Sequence, residues 1–204
     1  MLITELKQTA PERFVAVFDD GRELDTTLSV VADFSLYSGR ELTEEEYRQV
    51  CNASSLSLAK ARALQMIGMR AMSKKELTDR LIRKGESPEN AEVCVRWLES
   101  LNLLDDAEYA AMLARHYSSK NYGVNRIKNE LYRRGVPKEL WDEALEQIPD
   151  SEEKIHRLIS ARLKGGTPGR AELKKVTDFL LRRGYTWEEI KSALNRYNFE
   201  TEEY

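Results

Sequence analysis

The segment 122-YGVNRIKNELYRRGV-136 holds three arginines and one lysine against a single acid, Glu130, although the whole chain has a net charge of −3. From Arg115 to Lys138 there are seven lysines and arginines and no further acid. Such side chains bind nucleic-acid phosphates or acidic protein surfaces, because both are negatively charged. Basic residues also stabilise helix ends, so that structural explanation has to be tested first.

Two basic residues precede a glycine at three places in the chain. The segments are 81-LIRKG-85, 131-LYRRG-135 and 180-LLRRG-184. A cation in the last turn of a helix stabilises it by about 0.3–1 kcal/mol, and a glycine after the helix adopts the left-handed conformation. Helix capping therefore explains one basic pair in each copy. It does not explain Arg126 and Lys128, which fall at the start of a helix, where the helix dipole disfavours cations.

We therefore predict that the middle copy contacts a partner, with help from the basic pairs of the other two copies. Tyr122 is the aromatic residue best placed beside these cations. A purely solvated helix surface remains the alternative at this point. The candidate contact residues are Arg83, Lys84, Arg115, Tyr122, Arg126, Lys128, Arg133, Arg134, Lys138, Arg182 and Arg183.

Other residues that could do chemistry have simpler explanations. Asp105-Asp106 is a carboxylate pair, but it stands where a helix begins and fits an N-cap. His116 and His156 fall on different predicted helices, and neither has a Cys or an acid at metal-ligand spacing. Cys94 occupies a core position of the repeat. We expect no catalytic residue, no metal and no cofactor.

The glycines of the three segments are 50 and 49 residues apart, and this spacing indicates an internal repeat. Around each glycine, apolar residues recur at steps of 3 and 4, which predicts a helix, a glycine stop and a second helix. A third helix is predicted at 105–119 and again at 150–164. The module is thus three helices in about 50 residues. The last copy either ends after two helices, or the frame of every module is shifted by one helix.

Residues 1–50 differ from the rest, with 5 Lys and Arg against 11 Asp and Glu. The run 13–18 is typical of a strand, 19-DDG-21 of a hairpin turn, 22–28 of the returning strand and 2–8 of a third. We predict a mainly α protein of tandem three-helix modules in an elongated, curved array, preceded by a small β-hairpin-containing segment. The predicted domains are 1–50, 51–119, 120–164 and 165–204. The last begins with a glycine-rich linker at 165–168 and ends in an acidic tail.

Three segments together resemble a known family. They are 73-SKKELTDRLIRKG-85, 101-LNLLDDAEYAAMLARHYS-118 and 122-YGVNRIKNELYRRGV-136. They resemble the RecX family, small regulators that restrain the RecA recombinase, over roughly residues 56–197. The resemblance implies a non-enzymatic protein that binds the RecA–DNA filament along its groove and hinders filament growth, ATP hydrolysis and strand exchange.

We expect a cytoplasmic protein, because the sequence shows no signal peptide and only two cysteines, too few for a disulfide scaffold. We also expect a monomer that binds DNA weakly and without sequence preference. No apolar run approaches the roughly 20 residues of a membrane-spanning helix, so no membrane role is expected. Two alternatives remain open from the sequence. One is a helix-turn-helix-type DNA-binding module, because short three-helix units with a basic helix resemble such domains. The other is a helical scaffold for an unknown protein.

Overall fold

Helices make up most of the computed structural model, which describes residues 1–163 and 169–195. The strands are β1 Ile3–Ala10, β2 Arg13–Phe18 and β3 Glu23–Thr27. The helices are α1 Leu28–Asp33, α2 Glu44–Met69, α3 Lys74–Arg83, α4 Pro88–Ser100, α5 Asp106–Ser119, α6 Val124–Arg133, α7 Trp141–Glu146, α8 Glu152–Leu163, α9 Arg170–Arg182 and α10 Trp187–Asn195, with a 3-10 turn at Lys138–Leu140. The predicted linker at 165–168 and the acidic tail lie outside the described residues.

The N-terminal segment is a three-stranded antiparallel sheet in the order β1-β2-β3. The β2–β3 turn contains Gly21, whose φ of +84° suits glycine. One face of the sheet buries Ile3, Ala16 and Phe18 beneath α1 and the loop that follows it. The predicted hairpin and its third strand are confirmed.

Helix α2 belongs to two cores at once. It begins with a capping box, in which the Glu46 N–H donates to the Thr43 hydroxyl at 3.2 Å and the Thr43 N–H donates to the Glu46 carboxylate at 2.8 Å. Val50, in its first half, packs into the core of the sheet, whereas Ala59 and Ala63 pack against α3 and α4. The helix therefore runs without a break through position 50, where the sequence placed a domain limit.

Each of the three glycine segments sits over a core of its own. The first core is formed by the second half of α2 with α3 and α4, the second by α5–α7, and the third by α8–α10. Leu81, Leu131 and Leu180, four residues before each glycine, are fully buried, one in each core. The glycines take φ values of +92°, +70° and +88°, as expected for residues that end a helix in the left-handed region.

The cores show that each module begins one helix earlier than its glycine-ended helix, which is the second of the two frames that the sequence left open. Tyr109 and Leu113 of α5 pack into the second core, so α5 goes with α6 and α7 instead of ending a first module at residue 119. The chain divides into two compact units. One holds Met1–Met72 and Glu76–Leu104, and the other holds Ser73–Lys75 and the chain from Asp105 onward.

We predict that a chain beginning at Thr43 keeps its helical modules folded. The three module cores contain no residue before Leu56, and Thr43 preserves the cap of α2. Circular dichroism should show retained helix and a single cooperative thermal transition. A chain beginning at residue 51 loses the cap, which typically contributes about 1 kcal/mol, and should melt at a lower temperature. A broad, non-cooperative transition for the chain from Thr43 would mean that the sheet is required for the modules to fold.

Candidate interaction surface

Glu130, the single acid of the basic segment, is buried and holds two of its arginines. The Glu130 carboxylate lies 3.0 Å from Arg126 and 3.1 Å from Arg133, one helical turn to either side along α6. A buried carboxylate is strongly destabilising unless it is paired, so this acid needs cations beside it. Arg126 therefore has a structural reason to stand at the start of α6 that the dipole argument did not reveal.

The N-terminus of α6 is covered by the end of α9. The N–H of Gly123 donates to the carbonyl of Arg183 at 2.8 Å, and the N–H of Asn125 donates to the carbonyl of Gly184 at 3.0 Å. These carbonyls satisfy free N–H groups at the start of α6 and bring the negative end of the α9 dipole to its positive end. Cations near the start of α6 are tolerated for this reason.

Glycine is required on both sides of this contact. A Cβ on Gly123 would overlap the backbone of Gly184, and a Cβ on Gly184 would lie 2.9 Å from the Cα of Arg126 and closer still to its backbone nitrogen. Gly184 also has φ +88°, a conformation that side chains disfavour. The third glycine segment therefore ends a helix and, in addition, joins two modules.

The end of α6 makes the corresponding contact at the start of α3. The Ser73 hydroxyl donates to the carbonyl of Arg134, one residue before Gly135. The N–H of Lys74 donates to the buried Asp106 carboxylate at 2.8 Å, while Asp105 caps α5 by accepting from the N–H of Ala107 at 2.8 Å. Both members of the carboxylate pair are thus engaged with helix N-termini.

Arg183 caps the end of α5. Its guanidinium donates to the carbonyls of Lys120 at 3.0 Å and Asn121 at 3.2 Å, and lies over the ring of Tyr122 at 5.2 Å. Lys154 of α8 donates to the Ser118 hydroxyl at 2.7 Å beside it. Cations from the third module thus occupy the negative end of a second-module helix. Arg183 and the half-buried Tyr122 are used for packing between modules.

The other candidate residues differ in how exposed their side chains are. Arg134 is half-buried, with its guanidinium 3.4 Å from the Tyr109 hydroxyl, whereas the Arg133 side chain remains 69% exposed. Arg115 is exposed and donates to Gln147 at 3.0 Å. Within the described ranges, the half-buried Lys128 has no side-chain partner. The candidates that are exposed are Arg83, Lys84, Arg115, Arg133, Lys138 and Arg182; the first two lie in the first unit.

One set of exposed residues was missed from the sequence. Ile82, Tyr132 and Leu181, three residues before each glycine, are 41%, 70% and 45% exposed. Each follows the buried leucine of its segment, so it lies about 100° around the helix from the core. The signal was available, because an apolar residue stands off the core register in every copy.

Signs of catalytic chemistry are weak in the described part of the chain. Burial raises the pKa of the Cys94 thiol to about 11, so it stays protonated and unreactive at neutral pH. Among the described residues, no three His, Cys, Asp or Glu side chains come together as metal ligands would. The described helices also include none with the length and apolar character that a membrane span needs.

Family models match the chain in three consecutive places. They describe the first, second and third three-helix domains of RecX, and match residues 59–98, 105–145 and 150–194. Curated relatives agree: a regulatory protein RecX from Pelodictyon phaeoclathratiforme is 35% identical over 65% of this chain and 84% of its own. The chain belongs to the RecX family. The matched ranges coincide with the three module cores, so the modules seen here are RecX domains.

RecX relatives also match along nearly the full chain. The regulatory protein RecX of Caldanaerobacter subterraneus is 29% identical over 96% of this chain and 99% of its own, and that of Bacillus subtilis is 26% identical over 98% and 77%. A crystal structure of regulatory protein RecX superimposes with a TM-score of 0.74 over 95% of this chain and 98% of that one, at 22% identity. RecX from Lactobacillus salivarius gives 0.65 over 72% and 98%, also at 22% identity. These structures share the fold.

We predict that Gly184→Ala destabilises this RecX protein much more than Gly85→Ala. Both glycines have positive φ, +88° and +92°, so both changes strain the backbone by about 1–2 kcal/mol. A Cβ on Gly85 meets nothing within 4 Å, whereas one on Gly184 overlaps Arg126. The overlap should add about 1–3 kcal/mol to the loss of unfolding free energy in urea. Equal losses for the two variants would show that the contact between α9 and α6 does not form.

Proposed function

We propose that this protein is a negative regulator of the RecA recombinase. It binds the RecA–DNA filament and hinders filament growth, ATP hydrolysis and strand exchange, without catalysing a reaction of its own. Membership of the RecX family carries the proposal, together with outward basic residues at equivalent positions of successive modules. Its place of action is the cytoplasm, and it acts as a monomer.

The tandem modules support binding to a partner that itself repeats. Arg83, Arg133 and Arg182 stand two residues before the three glycines, and all three are exposed. An exposed charge pair typically contributes only about 0.2–1 kcal/mol, so no one arginine would hold a partner. Several such contacts made together raise the overall affinity far above that of any one. A filament of identical protomers repeats each of its surface sites at regular intervals.

A sequence-reading helix-turn-helix module is the weaker candidate. Such modules insert the N-terminal residues of a recognition helix into the major groove. In this protein the start of α6 is covered by Arg183 and Gly184, and the start of α3 by Arg134 and Asp106. Neither helix offers a free N-terminus to base edges. Contact with DNA phosphates by exposed lysines and arginines remains compatible with this geometry.

We predict that the protein slows ATP hydrolysis by RecA on single-stranded DNA at sub-stoichiometric ratios. The reason is that one molecule bound along the filament, or at its growing end, affects several protomers. ATP turnover and strand exchange should both fall as the protein is titrated into preformed filaments. Unchanged turnover at a large molar excess of folded protein would refute the proposal.

For the protein alone, we predict weak binding to DNA that depends on salt and not on sequence. Each phosphate contact contributes about 0.9 to the slope of log affinity against log salt, so a few exposed cations give a shallow slope. Fluorescence anisotropy with two unrelated duplexes, at several salt concentrations, measures both properties. Nanomolar binding to one duplex at physiological salt, with the other rejected, would instead support the helix-turn-helix alternative.

A further inference from the structure

Each module presents an exposed apolar side chain beside an exposed arginine, and helix capping and ion pairing account for the arginine but not for the apolar residue. The pairs are Ile82-Arg83, Tyr132-Arg133 and Leu181-Arg182, at the same register of the three glycine segments. The residue before each pair fills the core and the glycine after it ends the helix. The two intervening positions face solvent, where a polar residue would serve the fold equally well. We call the three pairs the apolar–arginine elements.

We infer that the apolar–arginine elements are the docking surface for a protein partner with carboxylates beside shallow apolar depressions. The inference rests on the proposed function and specifies which residues meet the filament and which component of it they meet. It excludes nucleic acid as the main occupant of these positions.

The chemistry of the elements favours protein over DNA. Platforms for single-stranded nucleic acid use aromatic rings on which bases stack, and two of the three elements carry an aliphatic residue instead. An aliphatic side chain adds nothing to a contact with phosphate. Tyr and Arg dominate the energetics of protein interfaces, where an apolar anchor desolvates the charge pair next to it. A positive group next to each anchor requires negative groups on the partner.

The second unit fixes the spacing between two of the elements. The end of α9 meets the start of α6, and Tyr132 lies at the other end of this ten-residue helix. At 1.5 Å per residue this helix is about 15 Å long, and it forms the packed connection between the Leu181 and Tyr132 elements. Two anchors held at a fixed distance by a packed helix lose little freedom on binding, which favours a partner with matching, regularly placed sites.

Not every basic residue near the glycines belongs to this surface. Arg183 donates to the end of α5, and Arg126 pairs with Glu130, so neither is part of an element. Arg133 also lies 3.1 Å from Glu130, so changing it would disturb the buried carboxylate. Arg182 is exposed and is the cleaner choice for substitution.

The test compares Tyr132→Ala, Leu181→Ala and Arg182→Ala with Met112→Ala. Met112 is an exposed apolar residue of α5 in the same unit, 39% exposed, and it lies outside the elements. All four changes replace an exposed helical residue with the best helix former, so stability should hold for the three apolar positions, and Arg182→Ala, which also removes a cation from the last turn of α9, should lower it only slightly. Urea unfolding of each variant checks this directly.

Filaments of RecA on poly(dT) are the probe for binding, read by inhibition of ATP hydrolysis, with anisotropy on poly(dT) alone as the second measurement. Tyr132→Ala and Leu181→Ala should each need about fivefold more protein for half-inhibition, and the double variant that combines them should need more than either. Met112→Ala should match the unchanged protein. Affinity for poly(dT) alone should change only for Arg182→Ala.

Three outcomes would overturn the inference. Unchanged inhibition by the double variant would show that the elements do not dock. A parallel loss of poly(dT) affinity in the tyrosine and leucine variants would assign these positions to nucleic acid. A dimer of the unchanged protein in sedimentation, lost in the variants, would make the occupant a second copy of the chain. Failure of the unchanged protein to inhibit at all would refute the proposed function, and the inference with it.

Discussion

The contact between the end of α9 and the start of α6 determines much of what surrounds it. The carbonyls of Arg183 and Gly184 accept hydrogen bonds from the N–H groups of Gly123 and Asn125. The two backbones are so close that neither Gly123 nor Gly184 could carry a Cβ. Once these backbones touch, Arg183 is held over the end of α5, and Tyr122 packs beneath its guanidinium. The negative end of the α9 dipole also offsets the unfavourable field at Arg126, so a partly buried ion pair with Glu130 can form within the first turns of α6.

This geometry gives the two basic residues before a glycine different roles. The second residue of the pair, Arg134 or Arg183, turns toward the neighbouring helix and contacts Tyr109 or the end of α5. The first, Arg133 or Arg182, points outward. On a helix two consecutive residues are separated by about 100°, so one inward and one outward direction is expected. A basic pair can therefore cap a helix and connect modules with one arginine while the other stays exposed to solvent.

Sequence periodicity was enough to predict the repeat, its core register and the glycine stops, and residue type predicted the N-cap at Asp105. It was not enough to place α5, because α5 is amphipathic and could have packed with either neighbour. The limit at residue 50 followed the acidic charge balance of the first 50 residues, which does not show that α2 continues across it. Within α2, Ser54 is buried, with its hydroxyl 2.8 Å from that of Thr26, a pairing between residues far apart in sequence. The pairing of Glu130 with Arg126 depends on burial, which charge counting does not reveal.

The three copies differ at two positions that precede the apolar–arginine elements on the same helix. Nine and five residues before the glycine, the first copy has Glu76 and Arg80, 2.9 Å apart, and the second has the reverse, Arg126 and Glu130. The third has Phe179 at the later position, where it packs against Arg183 at 4.9 Å.

The fold accepts the acid and the base of the ion pair in either order, or an aromatic contact at the later position. Each arrangement leaves the partly buried charge with a partner. The exposed apolar residue beside the outward arginine, by contrast, stays apolar in all three copies, although it lies outside the module cores. Positions that stay alike where the fold permits variation are best explained by a partner that meets every module in the same way.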